Sequence, residues 1–414
     1  MSERKVPKIR FPGFENDWPE YSMGDLYTER KEPGNDSLPI LSVSIHSGIS
    51  DGELDEENLG KHVRRIEDKS AYKHAHAGDL VFNMMRAWQG AIGSAPSEGM
   101  VSPAYITAEP CERVYPPFMD YYVKRKETVE QINSLSYGVT DFRKRLYWDS
   151  FVQVKCKLPT LNEQKAIAAE LTHIDEMIST TERNLDKWKE LKKGMLQKMF
   201  PKEEESVPEI RFPGFTGNWR SCQLKELIQE ITAGKSVNSD EGKVESEDIG
   251  IMKTSCVSDD RFDVDECKRV VSEEKGIVTC PVEANTLVIS RMNTPDRVGA
   301  CGYISENMPN RYLPDRLWKV KFAKDIDTYL AYTLLTTEES KERIKALASG
   351  TSGSMYNISK EAFMKMNIVF PVSVEEQNCV SNYFKGLNDM IILNEHELGR
   401  WQSLKKALLQ QMFV

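Results

Sequence analysis

The sequence predicts an α+β protein: two mixed α/β domains separated by two long antiparallel helices, the whole arranged as a tandem repeat with pseudo-two-fold symmetry. Three observations carry this. A nonapeptide occurs twice, two long segments hold a sustained heptad seam, and the stretches between them alternate short β-type runs with Gly, Pro and Asn clusters. The expected boundaries are a first domain at 1–160, a first helix at 161–200, a linker at 201–206, a second domain at 207–372 and a second helix at 373–414.

The repeat fixes the frame. Residues from Val6 to Phe14 recur from Val207 to Phe215 with eight of nine identical, at an offset of 201, and Trp18 and Trp219 keep that offset. Ala77 to Phe82 loosely matches Glu283 to Ile289, and Gly90 to Gly93 matches Gly299 to Gly302. Near the ends, Leu158 to Gln164 corresponds to Phe370 to Gln377, and Trp188 to Phe200 corresponds to Trp401 to Phe413 at an offset of 213. The edges of the two copies agree and the middles differ, as expected of one frame holding two unlike inserts.

The helices follow from spacing. Ile167, Leu171, Ile174, Ile178, Thr181, Leu185 and Trp188 step by 4, 3, 4, 3, 4, 3 through a segment without Pro. Val380, Phe384, Leu387, Ile391, Asn394, Leu398 and Trp401 repeat those steps. Such a seam favours a coiled-coil pair over a lone amphipathic helix. A helix of 38 residues is roughly 57 Å long. The second domain begins where the first helix ends and finishes where the second begins. These ends therefore lie close together, which implies an antiparallel pair with the domains at opposite ends. Thr181 and Asn394 are equivalent mid-seam polar residues, expected to meet and set register.

Each domain combines β-type runs with helical stretches, at 117–132 and 325–347. A polar loop then precedes each long helix, from Ser136 to Thr140 and from Ser349 to Asn357. The 414 residues carry a net charge of -9, and 29% are charged, with a mean hydropathy of -0.51. An acidic chain does not coat nucleic acid by charge alone. Residues 1–160 hold 21 basic and 24 acidic groups and 207–372 hold 22 and 25, so any basic surface is local. Basic clusters, several interleaved with aromatics and amides, suggest base-edge and phosphate contacts, although a charged run is more often a solvated face. The candidates in the first domain are Lys61, Arg64, Arg65, Asn83, Arg86, Trp88, Gln89, Tyr137, Arg143, Lys144 and Arg145. Those in the second are Lys235, Arg291, Asn293, Arg297, Arg311, Arg316, Thr351, Ser352, Ser354, Tyr356 and Asn357.

No catalytic residue is expected. Gly234 to Ser236 resembles the end of a phosphate-binding loop, but Gln229 stands where that loop needs Gly. The Asn-Pro-Pro or Asp-Pro-Pro run of adenine methyltransferases does not occur, nor does a G-x-G-x-x-G or G-x-S-x-G. The eight cysteines form no C-x-x-C pair and read as buried thiols of a reducing compartment. His74 and His76 read as a solvated or packed pair, so no metal is expected. No run of about 18 apolar residues suggests a membrane span, no signal core opens the chain, and a cytoplasmic location is expected.

These residues carry a resemblance. The doubled Arg-Phe-Pro-Gly-Phe motif with its following Trp, the stretch from Met85 to Gly93 with Val101 to Tyr105, and the Pro-to-Gln helix entrances at 159–164 and 371–377 resemble the specificity subunits of Type I restriction–modification systems. The likeness covers essentially the whole chain. The second copy departs from the first where Leu313 to Arg316 replaces Val101 to Ala104. The resemblance implies two target-recognition domains, each reading one half of a split, asymmetric target in double-stranded DNA. It also implies two helices that space them and dock two methyltransferase subunits. Those partners would bind S-adenosylmethionine, this chain binding no cofactor itself, and motor-nuclease subunits would complete the restriction complex. Half-sites about one DNA turn apart, roughly 34 Å, suit two readers on a rigid spacer. The residues leave two other classes open: a coiled-coil scaffold with protein-binding end domains and no DNA role, and a stand-alone nuclease or methyltransferase.

Overall fold

The computed structural model describes residues 6–45, 48–50, 71–138, 143–202, 204–242, 244–258, 260–350 and 355–414. The chain divides into two compact units, one of Met1–Glu182 with His396–Val414, the other of Arg183–Glu395. The division falls inside both long helices rather than at their ends. Its cause is packing: each unit completes its core with half of each helix.

In the first unit a short pair, β1 (Glu20–Ser22) with β8 (Lys155–Lys157), closes the domain at the base of the helices. The central sheet has the order β2 (Tyr27–Arg30), β7 (Tyr105–Pro110), β4 (Leu80–Asn83), β5 (Ile92–Ser94), all antiparallel. A side pair joins β3 (Lys73–Ala75) to β6 (Gly99–Val101). The helical stretch expected at 117–132 is two helices, α1 (Pro116–Tyr122) and α2 (Lys126–Leu135), separated by extended Arg125. The core gathers Leu80, Phe82, Ile92, Phe118 and Phe151. Ile167 and Leu171 of α3 (Leu161–Lys198) join it, as do Met412 and Phe413 at the end of the chain.

The second unit repeats this plan. β9 (Arg220–Gln223) pairs with β17 (Asn367–Phe370) as β1 does with β8. The sheet order is β10 (Ile228–Ala233), β14 (Leu317–Phe322), β11 (Thr286–Ser290), β13 (Cys301–Ile304), again antiparallel. A three-stranded sheet links β12 (Met292–Asn293), β16 (Tyr356–Ile358) and β15 (Ala348–Ser349). The stretch at 325–347 is again two helices, α4 (Thr328–Leu335) and α5 (Glu338–Ala346). Thr337 breaks it by capping the second, its hydroxyl accepting from the Ser340 N–H. The core includes Leu287, Trp318, Val320 and Phe363, completed by Met199 and Phe200 just past the end of α3 and by Val380 and Phe384 of α6 (Val374–Gln411).

Within each unit the helix halves run in opposite directions. In the second, Lys189 Nζ lies 3.2 Å from Glu395, while Phe200 packs 5.8 Å from Phe384. In the first, Asp175 meets Lys405 at 2.5 Å, and Ile167 shares a core with Met412. Of the expected seams, Ile178, Trp188, Leu398 and Trp401 are half-buried and every other position is buried, Thr181 and Asn394 included. The Asn394 amide donates to the Met390 carbonyl of its own helix, so its burial is partly compensated.

The doubled nonapeptide proves to be a structural clamp. Arg10 makes a bidentate pair with Glu163 at 2.6 and 2.8 Å, and Arg211 pairs with Glu376 at the same distances. Both carboxylates are buried at the start of a long helix. Next in sequence, Gln164 accepts from Tyr115 N–H and donates to the Pro159 carbonyl; Gln377 accepts from Asp327 N–H and donates to the Pro371 carbonyl. The same motif caps a helix end. Lys8 and Ile9 N–H groups reach the Gln411 carbonyl, and Ile210 N–H reaches that of Lys198. Trp18 stands edge-on to Phe413 as Trp219 does to Phe200. All cysteines are free thiols; five are buried, two are half-buried, and Cys379 differs from the expectation in being exposed on α6.

Candidate nucleic-acid interface

At one end of each central sheet three chain segments meet through backbone hydrogen bonds. In the first unit, the strand leaving Asn83 turns so that Met84 N–H bonds the Ala104 carbonyl at 3.1 Å, and Leu146 N–H bonds the Met84 carbonyl at 2.8 Å. In the second, Arg291 N–H bonds the Arg316 carbonyl at 3.2 Å, and Ile358 N–H bonds the Arg291 carbonyl at 2.9 Å. The hairpin beside each junction also matches. Asn83 N–H reaches Ala91, and Ser290 N–H reaches Ala300. The glycine before each acceptor has a positive φ, 99° at Gly90 and 84° at Gly299, which a side chain would strain.

The junction collects residues distant in sequence. In the first unit, Arg86 and Gln89 are exposed just beyond Met84, while Arg143 and Arg145 are exposed beside Leu146. Tyr137 bridges Arg145 through paired backbone bonds, is 52% exposed and packs against Tyr147 with ring centroids 4.9 Å apart and the rings tilted by 32°. Lys144 is half-buried and reaches Asn133. Two candidates serve the loop itself. Buried Asn83 accepts from Met85 N–H, and the Trp88 indole donates to the Met85 carbonyl while packing on the core.

In the second unit, exposed Arg297 and Arg316 flank half-buried Arg291, whose Nε donates to the Asp315 carbonyl. Lys235 joins them, because Gly234 lies so close to the Leu313 carbonyl that a Cβ would stand 1.6 Å away, and Ser236 hydrogen-bonds Asp315. Asn293 is opposite Tyr356 in β12–β16, and Asn357 is opposite Met292. The Asn293 amide is spent on Ser290 and Thr294, whereas Asn357 Oδ1 is buried without a hydrogen bond among the described residues.

Not every candidate lies here. Arg311 is in a different sheet, its guanidinium donating to the carbonyls of Glu245, Asp248 and Asn310. Lys61, Arg64, Arg65, Thr351, Ser352 and Ser354 lie outside the described residues. The structure adds Tyr105, set opposite Asn83 by strand register, and Asp315, whose carbonyl accepts from Arg291 and whose carboxylate accepts from Ser236; neither was among the candidates read from local composition. Burial raises the Tyr105 phenol above its ordinary value, the Asn83 side chain opposing this. Near Arg297, Ser255 and then Lys253 hold the Glu266 carboxyl below its ordinary range despite some desolvation. Neither group is poised for acid–base work near neutrality; the arrangement offers exposed donors in a fixed frame.

No family model matches the chain. Compared with curated proteins, it is 23% identical to the Type I restriction enzyme MjaVIII specificity subunit of Methanocaldococcus jannaschii, over 99% of this chain and 95% of that protein. Its fold superposes on the crystal structure of a Type I restriction–modification system S subunit from M. genitalium with a TM-score of 0.62 and 14% identity, covering 99% of each chain. Along its whole length the chain is thus similar to specificity subunits of Type I restriction–modification systems, and it shares the fold of one of them.

Proposed function

We propose that this chain selects a bipartite, asymmetric double-stranded DNA target, its first unit reading one half-site and its second the other. The observation that carries this reading is the junction built twice with the same backbone bonds and different side chains. Arg86, Gln89, Arg143 and Arg145 read or position the first half; Lys235, Arg291, Arg297 and Arg316 do so for the second. Arginine and glutamine offer paired donors to base edges, and lysine meets phosphate.

The chain performs no chemistry itself in this account. Two methyltransferase subunits hold S-adenosylmethionine and methylate adenine, motor-nuclease subunits join through them, and the complex works in the cytoplasm. Exposed apolar residues on α6, Leu393 at 60% and Ile392 at 43%, suit docking of such partners. With a net charge of -9, much of the phosphate contact falls to the partners. No helix among the described residues is long and apolar enough to cross a membrane.

Fluorescence anisotropy of labelled duplexes, with the chain alone and with a methyltransferase partner, tests this. Sequence-dependent binding that weakens in Arg86→Ala and Arg316→Ala supports it. Protein-only binding, with no response to DNA in either form, would favour a scaffold and overturn it.

A further inference from the structure

Four side chains from three segments converge at the side pair of the first unit. His74 lies on β3, His76 just beyond it, Glu32 after β2, and Glu98 in the turn before β6. The imidazoles stack with centroids 4.1 Å apart and in opposite orientation. At one edge, His74 Nδ1 and His76 Nε2 lie 3.0 and 2.9 Å from the two oxygens of Glu32. At the other edge, His74 Nε2 and His76 Nδ1 lie 2.9 and 3.4 Å from one oxygen of Glu98. The sequence shows the histidine pair but not the carboxylates, which only strand pairing brings in.

We propose that this cluster binds one divalent transition-metal ion of the zinc class, with His74 Nδ1, His76 Nε2 and Glu32 as ligands and Glu98 behind them. Hydrogen-bond inventory argues for it. A neutral imidazole has one donor and one acceptor, so without a cation each neutral ring aims an acceptor at a carboxylate oxygen. Charging both rings instead stacks two cations face to face. A divalent ion at the Glu32 edge removes the conflict: each ring gives one nitrogen to the metal and donates its other N–H to Glu98. That is the carboxylate–histidine–metal relay that fixes tautomer and orientation. The carboxylates of Glu32 and Glu98 balance the ion's charge.

The dimensions agree. Ligand atoms of Glu32, His74 and His76 lie within 4.8 Å of one another. Bonds of about 2.0–2.2 Å in a tetrahedron place ligand atoms roughly 3.3 Å apart, a few tenths of an ångström from the 2.9 and 3.0 Å seen at the Glu32 edge. The backbone is rigid there. His74 N–H bonds the Glu32 carbonyl, Gly34 N–H bonds Tyr72, and His76 N–H bonds Asp79. Arg30 passes 3.8 Å from Glu32, but its close bonds are to Asp79 at 2.7 and 3.2 Å. His74 is buried while His76, Glu32 and Glu98 reach solvent, so the ion has an entry path and a free coordination position. Its physical role is to tie β3 and the β6 turn to the end of β2, independently of how the DNA junction works.

Chelator-stripped, untagged full-length chain is titrated with Co2+ and then Zn2+, folding being followed by circular dichroism. Expected are one Co2+ per chain, ligand-field absorption without thiolate charge transfer, displacement by one Zn2+, and a rise in Tm with Zn2+. His76→Asn and Glu32→Gln, both at solvent-reaching positions, abolish the stoichiometric site in folded protein. Glu98→Gln keeps it but weakens affinity about 10–100-fold. Absence of stoichiometric binding to folded wild type overturns the proposal. So does binding that survives His76→Asn and Glu32→Gln, or thiolate charge transfer showing cysteine ligands, or a larger loss in Glu98→Gln than in Glu32→Gln.

Discussion

Comparison of the two units separates the frame they share from the surfaces in which they differ. At the helix entrances the copies agree to the side chain: Arg10 on Glu163 and Arg211 on Glu376, Gln164 and Gln377 in equivalent bonds. At the junctions they agree only in backbone. Met84, Ala104 and Leu146 in one unit hold the places of Arg291, Arg316 and Ile358 in the other. The backbone bonds are the part common to both units, while the side chains that brace each loop differ, Asn83 and Trp88 in one and Arg291 and Asn293 in the other. Even the clamp is not perfectly equal, since the Trp219 indole donates to Glu376 while the buried Trp18 indole has no partner among the described residues.

The largest effect that tests this comparison lies in the clamp. Glu163→Ala and Glu376→Ala each leave a half-buried guanidinium with only carbonyl acceptors, Asn16 for Arg10 and Thr216 and Gly217 for Arg211, so each should cost less than the about 3–5 kcal/mol of a fully buried broken pair. Denaturant unfolding should show similar losses, with hydrogen exchange placing each in its own unit. A large loss in only one unit would break the equivalence of the two clamps. Smaller and more selective changes are expected at the junctions. Arg86→Ala and Arg316→Ala should cost about 1–3 kcal/mol in binding by the assembled complex, each relaxing one position of its own half-site if it reads a base. Equal weakening on all sequences would reassign that arginine to phosphate.

The smallest effect is pH-dependent. Arg261, and then Lys189, hold the Glu395 carboxyl below its ordinary range against some desolvation. A carboxyl depressed in the folded state stabilises fully above its unfolded value, about 4.3, and loses that contribution as pH falls through the folded value. Arg261 is half exposed, so screening limits the pair to about 1 kcal/mol or less. Glu395→Gln should therefore lower stability slightly at pH 7 and match wild type at acid pH. A difference that persists at acid pH would point to packing instead.

Much of the frame was legible because it is periodic or repeated. The heptad steps located both long helices to within a few residues, and the doubled nonapeptide announced two copies. Its job was not legible, because Arg10 meets Glu163 across 153 residues. The break at Thr337 was hidden, since Thr also sits inside helices and only its cap bond shows the stop. Among the candidates, local composition singled out Arg86, Arg145, Arg297 and Arg316, which the fold leaves exposed near the junctions. It could not tell that Arg311 is committed to three carbonyls, nor that Glu32 and Glu98 join His74 and His76, because strand register decides both.

The central claim, two independent readers on one frame, is tested most directly by mapping methylated adenines. Cells carrying the chain and its methyltransferase partner are compared with cells in which residues 20–157 are exchanged for the corresponding segment of another specificity subunit. The account predicts a split motif in which the exchange changes one half and leaves the other intact. A single contiguous motif, or an exchange that alters both halves together, would contradict it.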